Sequence, residues 1–209
     1  IQGAVAVLRN ADAAILAEAG GRQTYRNRAS RYSDYNRVTD SLRQPGSAMK
    51  PLVYLAAFEA GLELDSTVPD EPIEVPLGDG RVKWIANYDN LFKGPIPMRQ
   101  ALAESRNAVA VWVTREIGVQ QVIRTAHQMG IRSPLQPFLS TALGASEVRL
   151  LELADAYRAI ASGVLAEPHV IGRVTDDVGD ALYEALHDTR VIQSAALDSL
   201  QEGLRGVVR

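Results

Sequence analysis

Within the stretch "RQPGSAMKPLVYLAAFEAG", Ser47 and Lys50 stand three positions apart. On a helix that spacing puts both side chains on one face, one above the other. A serine hydroxyl is a weak nucleophile until a base takes its proton. A neutral lysine amine within reach can be that base, provided burial or a nearby cation lowers its pKa. Pro45-Gly46 opens the helix, so Ser47 falls at its N-terminus, where unpaired backbone N–H groups favour negative charge. If Ser47 is the N-cap, Pro51 removes the N–H that would bond its carbonyl, and the first turn must be irregular. The following "LVYLAAF" is apolar on all sides, as in a helix of a domain interior. Lys50 is one of only three lysines, with Lys83 and Lys93. Taken alone, the pair fits equally a serine cap beside a solvent-facing lysine.

The second set of chemistry-bearing residues is Ser105 and Asn107, in "ALAESRNAVAV". Two residues apart, they diverge on a helix but point the same way in an extended or turn segment. A hydroxyl and an amide presented together can relay a proton and hold a substrate carbonyl. Serine and asparagine are also common in interhelical turns.

These residues need a scaffold. "IQGAVAVLRNADAAILAEAGG" predicts two short strands around a turn at Asn10 to Asp12, with small apolar residues suited to strands covered by helices. The polar "RQTYRNRASRYSDYNRVTD" has neither period and reads as a loop. The nucleophile helix ends at Gly61. Asp65 to Asn90 is rich in Pro, Gly and Asp and is expected to be irregular. "PMRQALAES" and "AVAVWVTREIG" predict two helical pieces broken at "SRN". "VQQVIRTAHQMG" predicts an amphipathic helix, and "VRLLELADAYRAIAS" another, closed by Gly163. "HVIGRVTDD" and "ALYEALHD" predict a hairpin around Val178-Gly179, and "SAALDSLQEGLRGVV" a last helix. The result is a helix-rich α+β chain. A lone hairpin is not stable in water, so the first one is expected to have further strands beside it, in sequence beyond Arg209.

Composition narrows the function. The 209 residues allow a sizeable core, and 46% hydrophobic with 22% charged residues is ordinary for a globular protein. A formal charge of −3 gives no electrostatic basis for nucleic-acid binding. There is no cysteine, which excludes disulfides, thiolate catalysis and zinc–cysteine sites. No apolar run approaches the roughly 20 residues that span a bilayer. His127, His169 and His187 lack ligand spacing, so no metal is expected, and no cofactor. The opening "IQGAVAV" reads as the interior of a longer gene product.

Together, Ser47-x-x-Lys50 and Ser105-x-Asn107 form a pairing that penicillin-binding proteins and serine β-lactamases share, with a third, Lys-Thr-Gly, element. "NRVTDSLRQPGSAMKPLVYLAAFEAG" resembles the nucleophile region of the transpeptidase domain of class A (bifunctional) penicillin-binding proteins. The likeness continues through "WIANYDNLFKGPIPMRQALAESRNAVAV" and "TALGASEVRLLELADAYRAIASG", and "IQGAVAVLRN…ILAEAGG" is similar to that domain's opening strands. No Lys-Thr-Gly occurs: Lys83 and Lys93 are followed by Trp and Gly. In the family that element comes later than the segment where this sequence stops.

The resemblance implies a penicillin-binding/serine β-lactamase-like transpeptidase fold, a helical subdomain plus part of an antiparallel sheet. Residues 1–209 would form one transpeptidase domain, incomplete without its Lys-Thr-Gly strand. It implies that Ser47 attacks the carbonyl of a D-alanyl-D-alanine stem peptide, with Lys50 as base. Ser105 would return the proton to the leaving D-alanine, Asn107 would hold the substrate amide, and the Ser47 N–H would form half of an oxyanion hole. Trp84 and Tyr88, with Asn87, would wall the substrate groove. The implied partners are peptidoglycan stem peptides, β-lactams and cell-wall synthesis proteins. The implied location is the periplasmic face of the inner membrane, through an anchor outside this chain. A serine β-lactamase, a β-lactam sensor, a non-catalytic wall scaffold and a helical domain with coincidental motifs remain as alternatives.

Overall fold

A computed structural model of the chain describes residues 3–21, 35–76, 80–185 and 189–208. The chain opens with β1 (Val5–Leu8), β2 (Ile15–Ala19) and β3 (Leu42–Arg43). A 3₁₀ turn over Gly46–Met49 leads into α1 (Lys50–Glu59). The short strands β4 (Thr67–Asp70), β5 (Ile73–Pro76), β6 (Val82–Ile85) and β7 (Gly94–Pro97) follow. Next come α2 (Met98–Ala103), α3 (Asn107–Ile117) and α4 (Val119–Gln128). A 3₁₀ turn over Leu139–Leu143 precedes β8 (Val148–Arg149), α5 (Leu150–Ser162) and β9 (Val164–Leu165). Then run β10 (Arg173–Thr175), β11 (Ala181–Glu184), β12 (Arg190–Val191) and α6 (Ala195–Arg205). No helix among the described residues is long and apolar enough to cross a membrane.

The chain divides into two compact units. The first is drawn from Ile1–Arg43, Met129–Ser133 and Val148–Ile192. Here β1 and β2 pair antiparallel, Val5 opposite Ala19 and Leu8 opposite Ile15. Helix α5 packs on β1. Strand β2, expected to be covered, is largely exposed, with Leu16 at 60%. Residues 22–34 of the polar stretch lie outside the described residues, and 37–40 form a turn. The predicted hairpin is present as β10–β11, turning at 176–180. Gly163 stops α5 in the left-handed conformation, φ +68°.

The second unit is drawn from Gln44–Gln128, Pro134–Glu147 and Gln193–Arg209. Its centre is α1, buried from Lys50 to Phe58, which packs against α3, α4 and α6. Each large apolar side chain so enclosed contributes roughly 1.5–3 kcal/mol. The helix stops in a Schellman motif: Leu62 N–H bonds the Ala57 carbonyl, Gly61 N–H bonds Phe58, and Gly61 takes φ +95°. Ser194 caps α6 by accepting the Leu197 N–H.

The segment from Asp65 to Asn90, expected to be irregular, contains β4, β5 and β6. Strand β4 pairs with β7, and β5 with β6. Prolines 69, 76, 95 and 97 lie within these ladders. A two-stranded ribbon consists only of edges, so each proline can turn its missing N–H away from the partner. The alternation that marks β5 is brief: Ile73 and Val75 point inward, Glu74 and Pro76 outward. The inward pair joins Ile85, Ala108 and Val111, with Phe92 and Trp112 packed at the margin.

Candidate active site

Three features present the chemistry-bearing residues. The first is the 3₁₀ turn before α1. Pro51 has no N–H, so the Ser47 carbonyl accepts a bond from Lys50 N–H instead, one residue early. Ser47 is left exposed at the mouth of the helix, while Lys50, one turn on, is only 2% exposed.

The second is the break between α2 and α3. Helix α2 also ends in a Schellman pattern: Arg106 N–H bonds the Ala101 carbonyl and Ser105 N–H bonds Leu102. The residue at the left-handed position is Ser105, φ +53°, where glycine would normally stand. Holding a serine there costs about 1–3 kcal/mol. Arg106 is then extended, and α3 begins at Asn107. This reversal turns Ser105 and Asn107 to the same side, as the two-residue spacing predicts for a turn.

They meet Lys50. Its Nζ donates to the Ser105 carbonyl, to Ser105 Oγ at 3.0 Å and to Asn107 Oδ1 at 2.7 Å. Asn107 Nδ2 donates to the Ala86 carbonyl at 3.1 Å, which fixes the amide with its oxygen towards the lysine. Burial, with the Arg106 charge second, pulls the Lys50 pKa down to about 8. One turn further along α1, Tyr54 has a buried hydroxyl without a hydrogen-bond partner among the described residues. Burial and the charge of Asp70 push its pKa up, so it stays neutral.

The third feature is a buried polar network that sequence reading missed. Asp70 is 0% exposed and Arg106 4%. Arg106 Nε and Nη2 reach Asp70 Oδ2 at 2.9 and 2.8 Å, and Nη1 reaches Asp89 at 2.8 Å. Asn87 Nδ2 donates to the other Asp70 oxygen at 2.7 Å. Asn87 Oδ1 in turn accepts the N–H groups of Asn107 and Ala108 at 2.8 and 3.2 Å, capping α3. Asn87 is therefore an enclosed brace and not a groove wall. The only sequence signal was an arginine between two motif residues, with no mark of which carboxylate it meets.

Gly144 supplies a further support. A Cβ on it would lie 2.3 Å from the Gly46 carbonyl oxygen and 2.4 Å from the Gly46 nitrogen. Gly144 has φ +69°, so both contact and conformation demand glycine. The turn at Gly144 thus abuts the turn that carries Ser47.

Trp84 and Tyr88 are not among the partners of Lys50. Trp84 lies on β6, 60% exposed, and Tyr88 is fully exposed. No metal-binding group of His, Asp and Glu occurs among the described residues, and His187 lies outside them. The exposed hydroxyl, buried low-pKa amine and oriented amide together suit serine acyl transfer.

Comparison with known proteins gives the same direction. Residues 3–209 match the family described as penicillin binding protein transpeptidase domain. The chain is 35% identical over 185 residues to penicillin-binding protein 1A of Rickettsia bellii (strain RML369-C), covering 88% of this chain and 23% of that relative's length. The crystal structure of penicillin-binding protein 1A from Haemophilus influenzae superposes with a TM-score of 0.76 at 30% identity, over 91% of this chain and 28% of that one. The PonA1 protein from Mycobacterium tuberculosis in complex with penicillin V gives 0.78 at 25% identity, over 97% and 55%. With a family match that runs almost end to end and a shared fold, the chain belongs to the penicillin-binding protein transpeptidase domain family.

Proposed function

We propose that the chain carries the nucleophile half of a D-alanyl-D-alanine transpeptidase site and that β-lactams acylate it at Ser47. The observation that carries this reading is the buried Lys50 amine, held by Ser105 and Asn107 one turn after the exposed Ser47. With its pKa near 8, a useful fraction of Lys50 is neutral at physiological pH.

Ser47 Oγ attacks the carbonyl of the penultimate D-alanine while its proton passes to Lys50. The oxyanion is met by the Ser47 N–H and by a second donor from the Lys-Thr-Gly strand. One such donor contributes about 10²–10³ in rate. Collapse breaks the peptide bond. The departing D-alanine nitrogen takes the proton from Lys50 through Ser105, leaving an acyl ester on Ser47. An amine from a second stem peptide then attacks the ester, and its proton passes through Lys50 to Ser47 Oγ as the ester bond breaks, leaving a new amide bond and the free serine. A β-lactam ring opens at the same first step, but its leaving group stays tethered, and the ester persists.

Asn107 orients the substrate amide, and Trp84 and Tyr88 act at the periphery of the bound peptide. The chain spans 23% of the Rickettsia bellii relative's length, and in this reading the second oxyanion donor comes from a Lys-Thr-Gly strand that these 209 residues do not contain. The complete protein works outside the cytoplasmic membrane on peptidoglycan. The test is D-alanine release from a D-Ala-D-Ala peptide by the full-length protein, with glycine as acceptor. Release and a glycyl product are expected. A folded protein giving neither would overturn the proposal.

A further inference from the structure

The second unit holds an open cavity of about 410 Å³ whose lining includes none of Ser47, Lys50, Ser105 and Asn107. That size is ample for a small-molecule site. Its lining includes Trp84, Trp112, Glu71, Glu74, Arg115 and Pro72. Trp84 and Trp112 are the only tryptophans of the chain.

The ribbon β5–β6 explains how this lining is built. Glu74 and Trp84 are directly opposed in the antiparallel register, so both side chains stand on the outer face of the ribbon. The alternate residues Ile73, Val75 and Ile85 are buried on the inner face. Trp112 comes from α3, half-buried against that inner cluster, and Arg115 follows it by three residues. Leaving an indole 60% exposed forgoes the stabilisation that its burial would bring. Neither Glu71 nor Glu74 has an ion-pair partner among the described residues, and Arg115 pairs only with its exposed neighbour Glu116.

The ligand chemistry follows from this set. Two indoles offer flat apolar faces. Carboxylates at the edge of one indole accept hydrogen bonds, while Arg115 and the indole N–H groups donate them. A matching ligand has an apolar face and a rim that both donates and accepts. Charge narrows it further: two carboxylates against one guanidinium, itself paired with Glu116, disfavour an anion. A sugar ring, with its C–H face and surrounding hydroxyls, meets every condition. We propose that the Trp84–Trp112 trough is a binding site for a neutral oligosaccharide. This goes beyond the acyl-transfer reading and does not require it; Trp84, placed above at the periphery of the bound peptide, is the one residue the two readings share.

The two tryptophans make the test direct, because all indole fluorescence of this chain arises from the trough. The probe is chitotetraose, titrated into the 209-residue chain, with oligolysine as the competing class. Saturable fluorescence change with chitotetraose alone is expected. Trp84→Ala should weaken binding about tenfold or more, and Glu74→Gln by a few-fold, both with unchanged circular dichroism. Ser47→Ala should bind as the wild type does, which separates this site from the acyl-transfer chemistry. No saturable response to chitotetraose, a response that survives Trp84→Ala, or saturation by oligolysine instead would each overturn the proposal.

Discussion

Lys50 Nζ lies 3.0 Å from Ser105 Oγ and 2.7 Å from Asn107 Oδ1, joining two motifs that are 55 and 57 residues apart in sequence. The amine that would activate Ser47 is thus held by the residues that would handle the leaving group and the substrate amide. Its titration should govern the chemistry. Acylation of the full-length protein by penicillin should rise about tenfold per pH unit below pH 8 and level off above it. About one amine in ten is neutral at pH 7, against about one in three thousand for an ordinary lysine. Stopped-flow acylation rates between pH 6 and 10 check this, and an inflection near the ordinary lysine value would contradict it.

The same shift has a stability consequence. The folded pKa, about 8, lies below the unfolded value of 10.5, so between those pH values the unfolded state binds more protons. Stability should therefore be fully present above pH 10.5 and fall as pH drops towards 8, by at most about 3 kcal/mol. Lys50→Met removes the titrating group. Urea titrations across this window should show a slope in wild type that the variant lacks.

Arg106→Ala should destabilise the protein by about 3–5 kcal/mol, because Asp70 would remain buried without its cation. Replacing both, as Arg106→Met with Asp70→Leu, should recover much of that loss but not the acylation rate, since Asn87 then loses its anchor beneath α3. Denaturation midpoints and acylation rates measured on the same samples separate the two effects. A double variant with wild-type acylation would show that the network is structural only.

Gly144→Ala and Gly61→Ala make a matched pair. Both glycines have positive φ, but a Cβ on Gly61 meets nothing within 4 Å, whereas one on Gly144 meets the Gly46 backbone. Gly61→Ala should cost about 1–2 kcal/mol from conformation alone. Gly144→Ala should cost more and also slow acylation, by moving the turn that holds Ser47. Equal melting temperatures for the two variants would contradict the close approach.

Ser105 places the hydroxyl proposed to relay the proton on an unfavourable backbone. Ser105→Gly should be more stable than Ser105→Ala by about 1 kcal/mol, because only glycine relaxes φ +53°. Both should acylate slowly, for want of the hydroxyl. Thermal melts of the two variants test the first statement and mass spectrometry the second.

Some of this site was legible in the sequence and some was not. Ser47 and Lys50 could be read because helical spacing is local and the apolar run behind them announces an interior helix. The reversal at Ser105 was legible as a break between two helical patterns. The Arg106–Asp70 pair was not, since any of many carboxylates could have matched the arginine, and burial, which decides it, is a property of the packed chain. Strands β4 and β5 were hidden by prolines that a two-stranded ribbon tolerates, and β6 by the Gly and Asp residues just before it. Gly144 gave no signal of its role, because its reason for being glycine is the Gly46 backbone, distant in sequence.

The most direct test of the central claim is intact-protein mass after incubation with penicillin, for the 209-residue chain and the full-length protein, with Ser47→Ala in each. The account predicts that the full-length protein gains the mass of one penicillin and that Ser47→Ala abolishes the gain. If only the longer protein is acylated, sequence outside these 209 residues completes the site. No gain in either, or a gain that Ser47→Ala leaves intact, would contradict the assignment of Ser47 as the nucleophile.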